Sequence, residues 1–267
     1  MISAIETELF LKHDDLAAAR SYLDQNGLLP ILEQNRSERQ ISPQYRDLAR
    51  LHSLARKRKV FSVLEFGVGW STIVLADALR RNRNDWDRLE NKPNIRKSHS
   101  FVNFSVDSSQ DWIANTEKRI PPELRPYTKL AYSRVQAGTY CGKICHYYQK
   151  LPDIVPDFIY LDGPDTMAVE DQIGGISWKN NGRVVMAADL LLLEPVLLPG
   201  TLLLVDGRTS NARFLKAHFY RNWDFLWDKD SDITIMELRE EPIGLFNEAD
   251  LRYRLDSFYD QWKNIAS

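Results

Sequence analysis

A short apolar run that ends in two closely spaced glycines most constrains the fold of this chain. Residues 60–66 are mostly apolar and β-prone, Gly67 and Gly69 follow directly, and residues 71–79 have the apolar spacing of a helix. Glycines at such positions allow a tight turn and let a ligand approach backbone N–H groups that a Cβ would shield. Strand, glycine turn and helix in this order predict the first unit of a doubly wound α/β sheet.

The same alternation continues along the chain. Further strands are predicted at 101–106, 130–135, 158–161, 201–205, 223–227 and 233–238. Helices are predicted between them at 110–119, 184–193 and 211–220. Strands that alternate with helices predict a mostly parallel sheet with helices on both faces, and the last two strands predict an antiparallel addition at one edge. The polar stretch 82–100 predicts a surface loop or insertion.

The first 59 residues predict a helical N-terminal extension. Apolar spacing predicts one helix over about 5–17 and a second over about 43–58. We therefore expect an extension at 1–59, a main domain at 60–240 and a helical C-terminal tail at 241–267. The second helix ends in a basic run at 56–59, which we interpret as cations at a helix C-terminus in preference to a nucleic-acid patch.

Charge and cysteine content limit the classes of partner and compartment. The chain has 35 Lys and Arg against 37 Asp and Glu, which gives no reason to expect nucleic acid or an anionic membrane as partner. No apolar run approaches the roughly 20 residues that span a bilayer, and the first 15 residues do not resemble a signal peptide. Two cysteines cannot form a disulfide framework, so we expect a reducing, cytoplasmic location. Cys141, Cys145 and His146 have no second Cys/His pair nearby, which argues against zinc.

Acidic residues stand at the ends of four predicted strands: Glu65, Asp107, Asp162 and Asp206. In an open parallel sheet, ligands bind beyond the carboxyl ends of the strands. Each acid alone is compatible with a turn or a helix cap. Acids are poor strand residues and are costly to bury, so four at equivalent ends favour a ligand crevice.

The glycine turn departs from a dinucleotide-binding fingerprint in two ways. Thr72 stands where the third glycine of that fingerprint is expected. Glu65, two residues before Gly67, would repel a pyrophosphate. A nicotinamide-dependent oxidoreductase is therefore the weaker of the enzyme interpretations.

Four ordered segments carry a resemblance to a known superfamily. Residues 64–72, Leu-Glu-Phe-Gly-Val-Gly-Trp-Ser-Thr, resemble motif I of class I S-adenosylmethionine-dependent methyltransferases, and within them the small-molecule O-methyltransferase-like branches. Residues 106–112 resemble the second motif, residues 160–164 the motif of the fourth strand, and residues 198–201 the turn into the fifth strand. The likeness covers about residues 43–238.

The resemblance implies a Rossmann-like methyltransferase fold with a seven-stranded sheet and S-adenosylmethionine as cofactor. It implies that Gly67 and Gly69 line the amino-acid end of the cofactor, with Glu65 near its ammonium group. It also implies that Asp107 accepts hydrogen bonds from both ribose hydroxyls. The acid that often reads the adenine amine after the third strand is absent, and Gln136 is the candidate substitute. The cofactor-binding residues predicted in this way are Glu65, Gly67, Gly69, Ser71, Thr72, Asp107, Ser108, Gln136 and Asp162.

Three residues are predicted to act in catalysis: Asp162, Asp206 and Arg208. Asp206 is a candidate general base for a hydroxyl, and Arg208 a candidate to bind a carboxylate or phosphate of the substrate. The alternative is that Thr209 or Ser210 caps the following helix and the arginine is solvated. Asp162 and Asp206 could also hold Mg²⁺, although the chain has Asp-Gly where metal-dependent relatives tend to have Asp-Asp or Asp-Asn.

We therefore expect an enzyme that transfers a methyl group from S-adenosylmethionine to an oxygen of a small-molecule or saccharide acceptor. Nitrogen as the accepting atom stays open. From a different class, a catalytically silent scaffold with the methyltransferase fold is the alternative. The N-terminal helices are compatible with a lid, an acceptor-binding element or a homodimer contact.

Overall fold

The computed structural model describes residues 15–34, 42–180, 182–184 and 186–266. The strands in chain order are β1 (Ser62–Phe66), β2 (Val102–Asp107), β3 (Thr128–Tyr132), β4 (Val135–Tyr140), β5 (Lys143–Tyr148), β6 (Phe158–Leu161), β7 (Gln172–Ile173), β8 (Ile176–Ser177), β9 (Leu202–Asp206), β10 (Trp223–Asp228) and β11 (Ile233–Leu238). The α-helices are α1 (Leu16–Gln25), α2 (Leu29–Glu33), α3 (Tyr45–Lys57), α4 (Trp70–Asp87), α5 (Gln110–Arg119), α6 (Asp189–Leu193), α7 (Thr209–His218), α8 (Gly244–Leu255) and α9 (Tyr259–Ala266).

Seven strands form the central sheet, in the order β10-β11-β9-β6-β1-β2-β3. Strand β11 runs antiparallel to both β9 and β10, and the other pairs are parallel. The doubly wound, mostly parallel seven-stranded sheet and its antiparallel edge are therefore confirmed. The chain winds outward from β1 to β3 and then returns to place β6 on the other side of β1, so the strand order reverses between β1 and β6. A ligand crevice is expected at that switch point.

The two faces of the sheet bury separate hydrophobic clusters. Along β1, Val63 belongs to the cluster beneath α3 and α4, whereas Leu64 and Phe66 belong to the cluster beneath α6 and α7. Strand β6 alternates in the same way, with Phe158 on the first face and Ile159 on the second. Successive side chains of a strand point to opposite faces, so a central strand covered by helices on both sides is apolar throughout.

The N-terminal extension packs on α4 through a buried polar contact. His52 of α3 is fully buried, with its Nε2 atom 3.0 Å from Asp77 Oδ2 and its Nδ1 atom 2.8 Å from the Tyr22 hydroxyl. The helix predicted at 43–58 is confirmed as α3. Of the basic run at its end, Arg56 and Arg58 form ion pairs with Asp85 and Glu237. The helix predicted at about 5–17 falls mainly outside the described residues.

Two predictions near α4 and α6 are wrong in extent. The stretch 82–100 is not wholly a loop, because α4 continues to Asp87. The buried Asn82 side chain donates to the backbone carbonyls of Ala55 and Val60, and this contact holds the extra turns against α3. In the stretch 184–193, only Asp189–Leu193 is α-helical. Residues just before it run beside β5, where His146 bonds to Met186 and Ala188 through its backbone.

The third predicted strand is split. Strand β3 ends at Tyr132, and Val135 begins β4, which pairs with β5 as a separate antiparallel hairpin. This hairpin occupies the crossover between the outer strand β3 and the central strand β6. Among the described residues, no helix has the length and apolar character needed to cross a membrane.

Candidate functional site

A cavity of about 1010 Å³ opens at the carboxyl ends of β1, β2, β6 and β9. Most of the predicted site residues line it: Gly67, Gly69, Ser71, Asp107, Ser108, Asp162, Asp206 and Arg208. Glu65, Thr72 and Gln136 do not. The fold thus brings eight residues from four separate loops together at the switch point of the sheet.

The glycine turn and the loop after β6 are in direct contact. Gly67 has a φ of +99°, and its N–H donates to the carbonyl of Val106 over 2.8 Å. A Cβ on Gly163 would lie 2.7 Å from the backbone nitrogen of Gly67, so a side chain there would force the two loops apart. Gly69 differs, because a Cβ added to it would meet nothing within 4 Å. The absent side chain of Gly69 therefore leaves backbone accessible from the cavity.

Asp107 closes one side of the turn. Its Oδ2 atom accepts from the backbone N–H of Val68 over 2.9 Å, and its Oδ1 atom accepts from Ser109 N–H over 2.7 Å. Burial raises the pKa of this carboxyl, and the backbone donors lower it. A carboxylate has about four lone-pair sites, so this one can still accept hydrogen bonding from a ligand.

Glu65 is a buried structural carboxylate. It is fully buried, and its two oxygens accept from Ser71 (2.5 Å), Thr72 (2.8 Å), Asn103 (2.8 Å) and Ser105 (2.5 Å). Burial raises its pKa, and these four hydrogen bonds lower it. Glu65 therefore joins β1, β2 and the first turn of α4. The structure does not place it where the resemblance implied, against a ligand's ammonium group.

Two other predicted cofactor residues also lie away from the cavity. Thr72 is buried, where its hydroxyl donates to Glu65 and accepts from the N–H of Gly69 over 3.1 Å. Gln136 is an exposed residue of β4. This strand belongs to the separate hairpin, which the sequence analysis did not distinguish from β3. Thr72 thus fixes the shape of the turn, and the adenine contact inferred for Gln136 has no support from its position.

Two carboxyl groups that line the cavity, those of Asp162 and Asp206, have raised pKa values. Burial, and then the charge of Asp206, raise the pKa of Asp162 to about 7. Burial raises the pKa of Asp206 to about 6, against the lowering effect of a 2.7 Å hydrogen bond from the Tyr160 hydroxyl. Solvent still reaches 56% of the Asp162 side chain, because the cavity is open, while the surrounding protein and the nearby acids oppose its ionisation. Carboxyls that titrate near neutrality can serve as general bases.

Arg208 is engaged by the loop after β6. One of its terminal nitrogens donates to the Pro164 carbonyl over 2.9 Å, and the other donates to the carbonyl of Asp162. Its Nε atom lies 3.9 Å from Asp162 Oδ1. Because both terminal nitrogens are bonded to backbone, these contacts assign Arg208 to holding the loop and do not support the predicted binding of a substrate anion.

The Mg²⁺ site considered for Asp162 and Asp206 has no support in this arrangement. The described residues contain no group of three or more His, Cys, Asp or Glu side chains arranged to hold a metal ion. The guanidinium of Arg208 lies beside Asp162, and the Tyr160 hydroxyl occupies one oxygen of Asp206. These donors supply the positive charge and hydrogen bonds that a cation would otherwise provide.

Several residues that the sequence analysis did not select also line the cavity. Asp47 comes from the first turn of α3, so the N-terminal extension contributes an acid to the site. Arg119 ends α5, and its guanidinium lies over the Trp70 ring, 4.7 Å from the centroid. Trp112 and Arg119 are seven residues apart on one helix, a spacing that puts both on the same face. This spacing was a signal by which the sequence could have identified both residues. No sequence pattern near Asp47 indicates that it lines the same cavity as the end of β9.

No protein-family model matches the chain, and no curated protein matches it. Among solved structures, the chain is similar to the O-methyltransferase TomG from Streptomyces achromogenes in complex with SAM, with 14% identity, coverage of 88% of this chain and 94% of that chain, and a TM-score of 0.39. It is similar to the SAH-bound Podospora anserina methyltransferase PaMTH1, with 13% identity, coverage of 90% and 89%, and a TM-score of 0.44. It is also similar to an O-methyltransferase from Bacillus cereus in complex with SAH, with 13% identity, coverage of 88% and 96%, and a TM-score of 0.37. All three similarities are distant.

Proposed function

We propose that this protein is an S-adenosylmethionine-dependent methyltransferase that acts on an oxygen of a small-molecule or saccharide acceptor. One observation carries the proposal: the glycine turn, Asp107 and the pair Asp162 and Asp206 line a single cavity at the switch point of the sheet. The turn and Asp107 match the cofactor motif that the sequence resembles. Within the pair, Asp206 adds the proton acceptor that methylation of a hydroxyl requires.

The residues on the cofactor side fit S-adenosylmethionine. Gly69 leaves backbone uncovered where the amino-acid end would lie, and Asp107 can still accept from the ribose hydroxyls. Asp162 lies next to Gly67, since its backbone carbon is 3.5 Å from the position of a Cβ there. We therefore infer that Asp162, in place of the buried Glu65, accepts from the ammonium group. When bound, the cofactor supplies an electrophilic methyl group.

Asp206 is the residue best placed to take a proton from the acceptor hydroxyl. The Tyr160 hydroxyl bonds to one oxygen of Asp206 and so fixes the orientation of the carboxylate. With a pKa of about 6, Asp206 is ionised at neutral pH and still basic enough to accept a proton. Alignment and deprotonation of the nucleophile are most of what an in-line displacement asks of the protein.

The charge of the lining favours an acceptor that donates hydrogen bonds. Five carboxyls line the cavity (Asp47, Asp107, Asp162, Asp165 and Asp206), against two guanidinium groups. Hydroxyl groups of a sugar or another polyol complement such a surface, whereas an anionic acceptor would be repelled. Nucleic acid is excluded from the proposal for the same reason.

Calorimetric titration with S-adenosylhomocysteine tests the proposal. We expect micromolar binding, about −8 kcal/mol, by the wild type. Asp107→Asn should weaken it by about 10-fold or more, because the amide offers one acceptor oxygen in place of two. Asp111→Asn is the matched control, since Asp111 is an exposed acid four residues away that does not line the cavity.

Two outcomes would overturn the proposal. Tighter binding of NAD than of S-adenosylhomocysteine would favour the oxidoreductase. Binding of S-adenosylhomocysteine without methyl transfer from labelled S-adenosylmethionine to any member of a polyol and saccharide panel would favour the silent scaffold.

A further inference from the structure

Within the part of the chain that the structure describes, Arg119 is a cavity-lining cation without a partner of opposite charge. Among the described residues, no carboxylate forms an ion pair with it, and its Nη2 atom is buried without a hydrogen-bond partner. Burial lowers the pKa of its guanidinium, and no charge effect from an acid offsets that change. An unpaired buried donor on a charged group is costly, so a site that keeps one is adapted to a ligand that pairs with it.

The surroundings of Arg119 differ from those of Arg208, the other arginine that lines the cavity. The five lining acids leave the walls negative, and the other lining arginine, Arg208, donates to two backbone carbonyls. The Arg119 guanidinium instead lies over an aromatic ring, that of Trp70, with its Cζ atom 4.7 Å from the ring centroid. The ring covers one side of the guanidinium, and the planar set of N–H donors that a guanidinium carries matches the geometry of a planar anion.

Trp70 links Arg119 to the glycine turn. It follows Gly69 directly and is the first residue of α4, an 18-residue helix whose N-cap has no side chain to bond the first N–H groups. Gly69, Trp70 and Arg119 all line the cavity, and the Trp70 side chain connects the start of α4 with the Arg119 guanidinium. Asp162 lies near Gly67 at the same turn.

We propose that Arg119 binds the carboxylate of the cofactor's amino-acid moiety, in a pocket whose other wall is the Gly69–Trp70 backbone. The inference rests on the proposed function, which supplies the ligand. Arg119 would pair with the carboxylate through the planar edge of its guanidinium, the geometry in which Arg–carboxylate contacts are strongest. The ammonium group of the same moiety would meet Asp162, so the zwitterion would have an opposite charge at each end.

A comparison of two ligands isolates this contact. S-adenosylhomocysteine carries the amino-acid moiety, whereas 5′-methylthioadenosine has the same adenosine and thioether but lacks the carboxylate and the ammonium. Both are titrated calorimetrically against wild type, Arg119→Ala and Arg119→Lys. In Arg119→Ala we expect about 10- to 100-fold weaker binding of S-adenosylhomocysteine, with 5′-methylthioadenosine changed by less than about twofold. Lysine should restore part of the loss, because it keeps the charge but not the bidentate fork.

Arg96→Ala is the matched control. The Arg96 guanidinium also lies over an aromatic ring, 3.7 Å from the Phe246 centroid, but Arg96 does not line the cavity. We expect this variant to bind both ligands as the wild type does. The retained affinity for 5′-methylthioadenosine shows in the same experiment that Arg119→Ala is folded.

Three results would overturn the inference. Unchanged affinity for S-adenosylhomocysteine in Arg119→Ala would show that the guanidinium does not meet the carboxylate. Equal losses for both ligands would assign Arg119 to the adenosine end or to the fold. A wild type that binds neither ligand would instead refute the proposed function, and with it the inference.

Discussion

Replacement of Glu65 separates the role that the resemblance implies from the role that the structure shows. If Glu65 contacts the ammonium group, its removal weakens cofactor binding. If it holds β1, β2 and α4 together, its removal lowers the free energy of unfolding. We expect the second result, because all four of its hydrogen-bond donors belong to the protein and the side chain is fully buried.

The size of the effect follows from those four bonds. A hydrogen bond to a charged group contributes roughly 1.5–3 kcal/mol, but burial of the carboxylate itself costs several kcal/mol. In Glu65→Ala, the hydroxyls of Ser71, Thr72 and Ser105 can rotate, whereas the buried Asn103 amide loses its acceptor at about 1–3 kcal/mol. With the cavity left by the side chain, we expect a net loss of about 3–5 kcal/mol. Glu65→Gln keeps the volume and an acceptor oxygen, so its loss should be about 1 kcal/mol.

Urea unfolding measures these differences. The seven tryptophans of the chain provide the fluorescence signal, and the shift of the midpoint at constant slope gives the change in stability. Titration of folded Glu65→Gln with S-adenosylhomocysteine completes the test, and its affinity should stay within about threefold of wild type. A loss of cofactor affinity at unchanged stability would refute the structural role and restore the ammonium contact.

Three further perturbations follow from the site and its surroundings. The rate of methyl transfer should rise with pH through about 6, because Asp206 acts only after losing its proton. Asp206→Asn should remove that rise and slow the reaction by about 10²- to 10⁴-fold. A flat pH profile in the wild type would contradict the assignment. Gly69→Ala should fold normally but bind S-adenosylhomocysteine poorly, since its Cβ would enter the cavity. Gly163→Ala should lower the melting temperature, because its Cβ would clash with the backbone nitrogen of Gly67. A binding defect in Gly163→Ala and a stability defect in Gly69→Ala would be inconsistent with the turn geometry. Asp189 is 2% exposed with Oδ2 unbonded, and burial raises its pKa to about 7, so its ionisation should reduce stability as pH rises from about 4 to 7. Asp189→Asn should remove up to about 3 kcal/mol of that decline between unfolding measured at pH 5 and at pH 8, and parallel pH profiles for the two proteins would contradict it.

Sequence alone predicted the parts of the fold that local pattern determines. Strand β1, the glycine turn and α4 follow one another without interruption, so hydrophobic spacing and two glycines were sufficient to place them. The acids at the ends of β2, β6 and β9 were placed correctly for a similar reason. Parallel strands bring their carboxyl ends to one edge of the sheet, so a residue's position in its strand fixes its position in the site.

Contacts between distant residues explain what the sequence missed. The segment before α6 has helical composition, but its backbone bonds to His146, about 40 residues earlier, and this pairing overrides local preference. Glu65 looked like a ligand residue because its strand ends at the crevice. Only the three-dimensional arrangement shows that Asn103 and Ser105 of β2 face it from inside the sheet.

Helix α3 of the N-terminal extension contributes to the electrostatics of the site as well as to the fold. Asp47 of α3 lines the cavity, and its charge raises the pKa of Asp206. Arg50, one turn later, donates to Asp47 over 2.8 Å and to Ser231 beside β11, and its charge lowers the pKa of Asp206. The same helix therefore brings one charge of each sign to the candidate base. A shift of α3 would change the basicity of Asp206, so we expect the position of the extension to affect the proposed proton transfer.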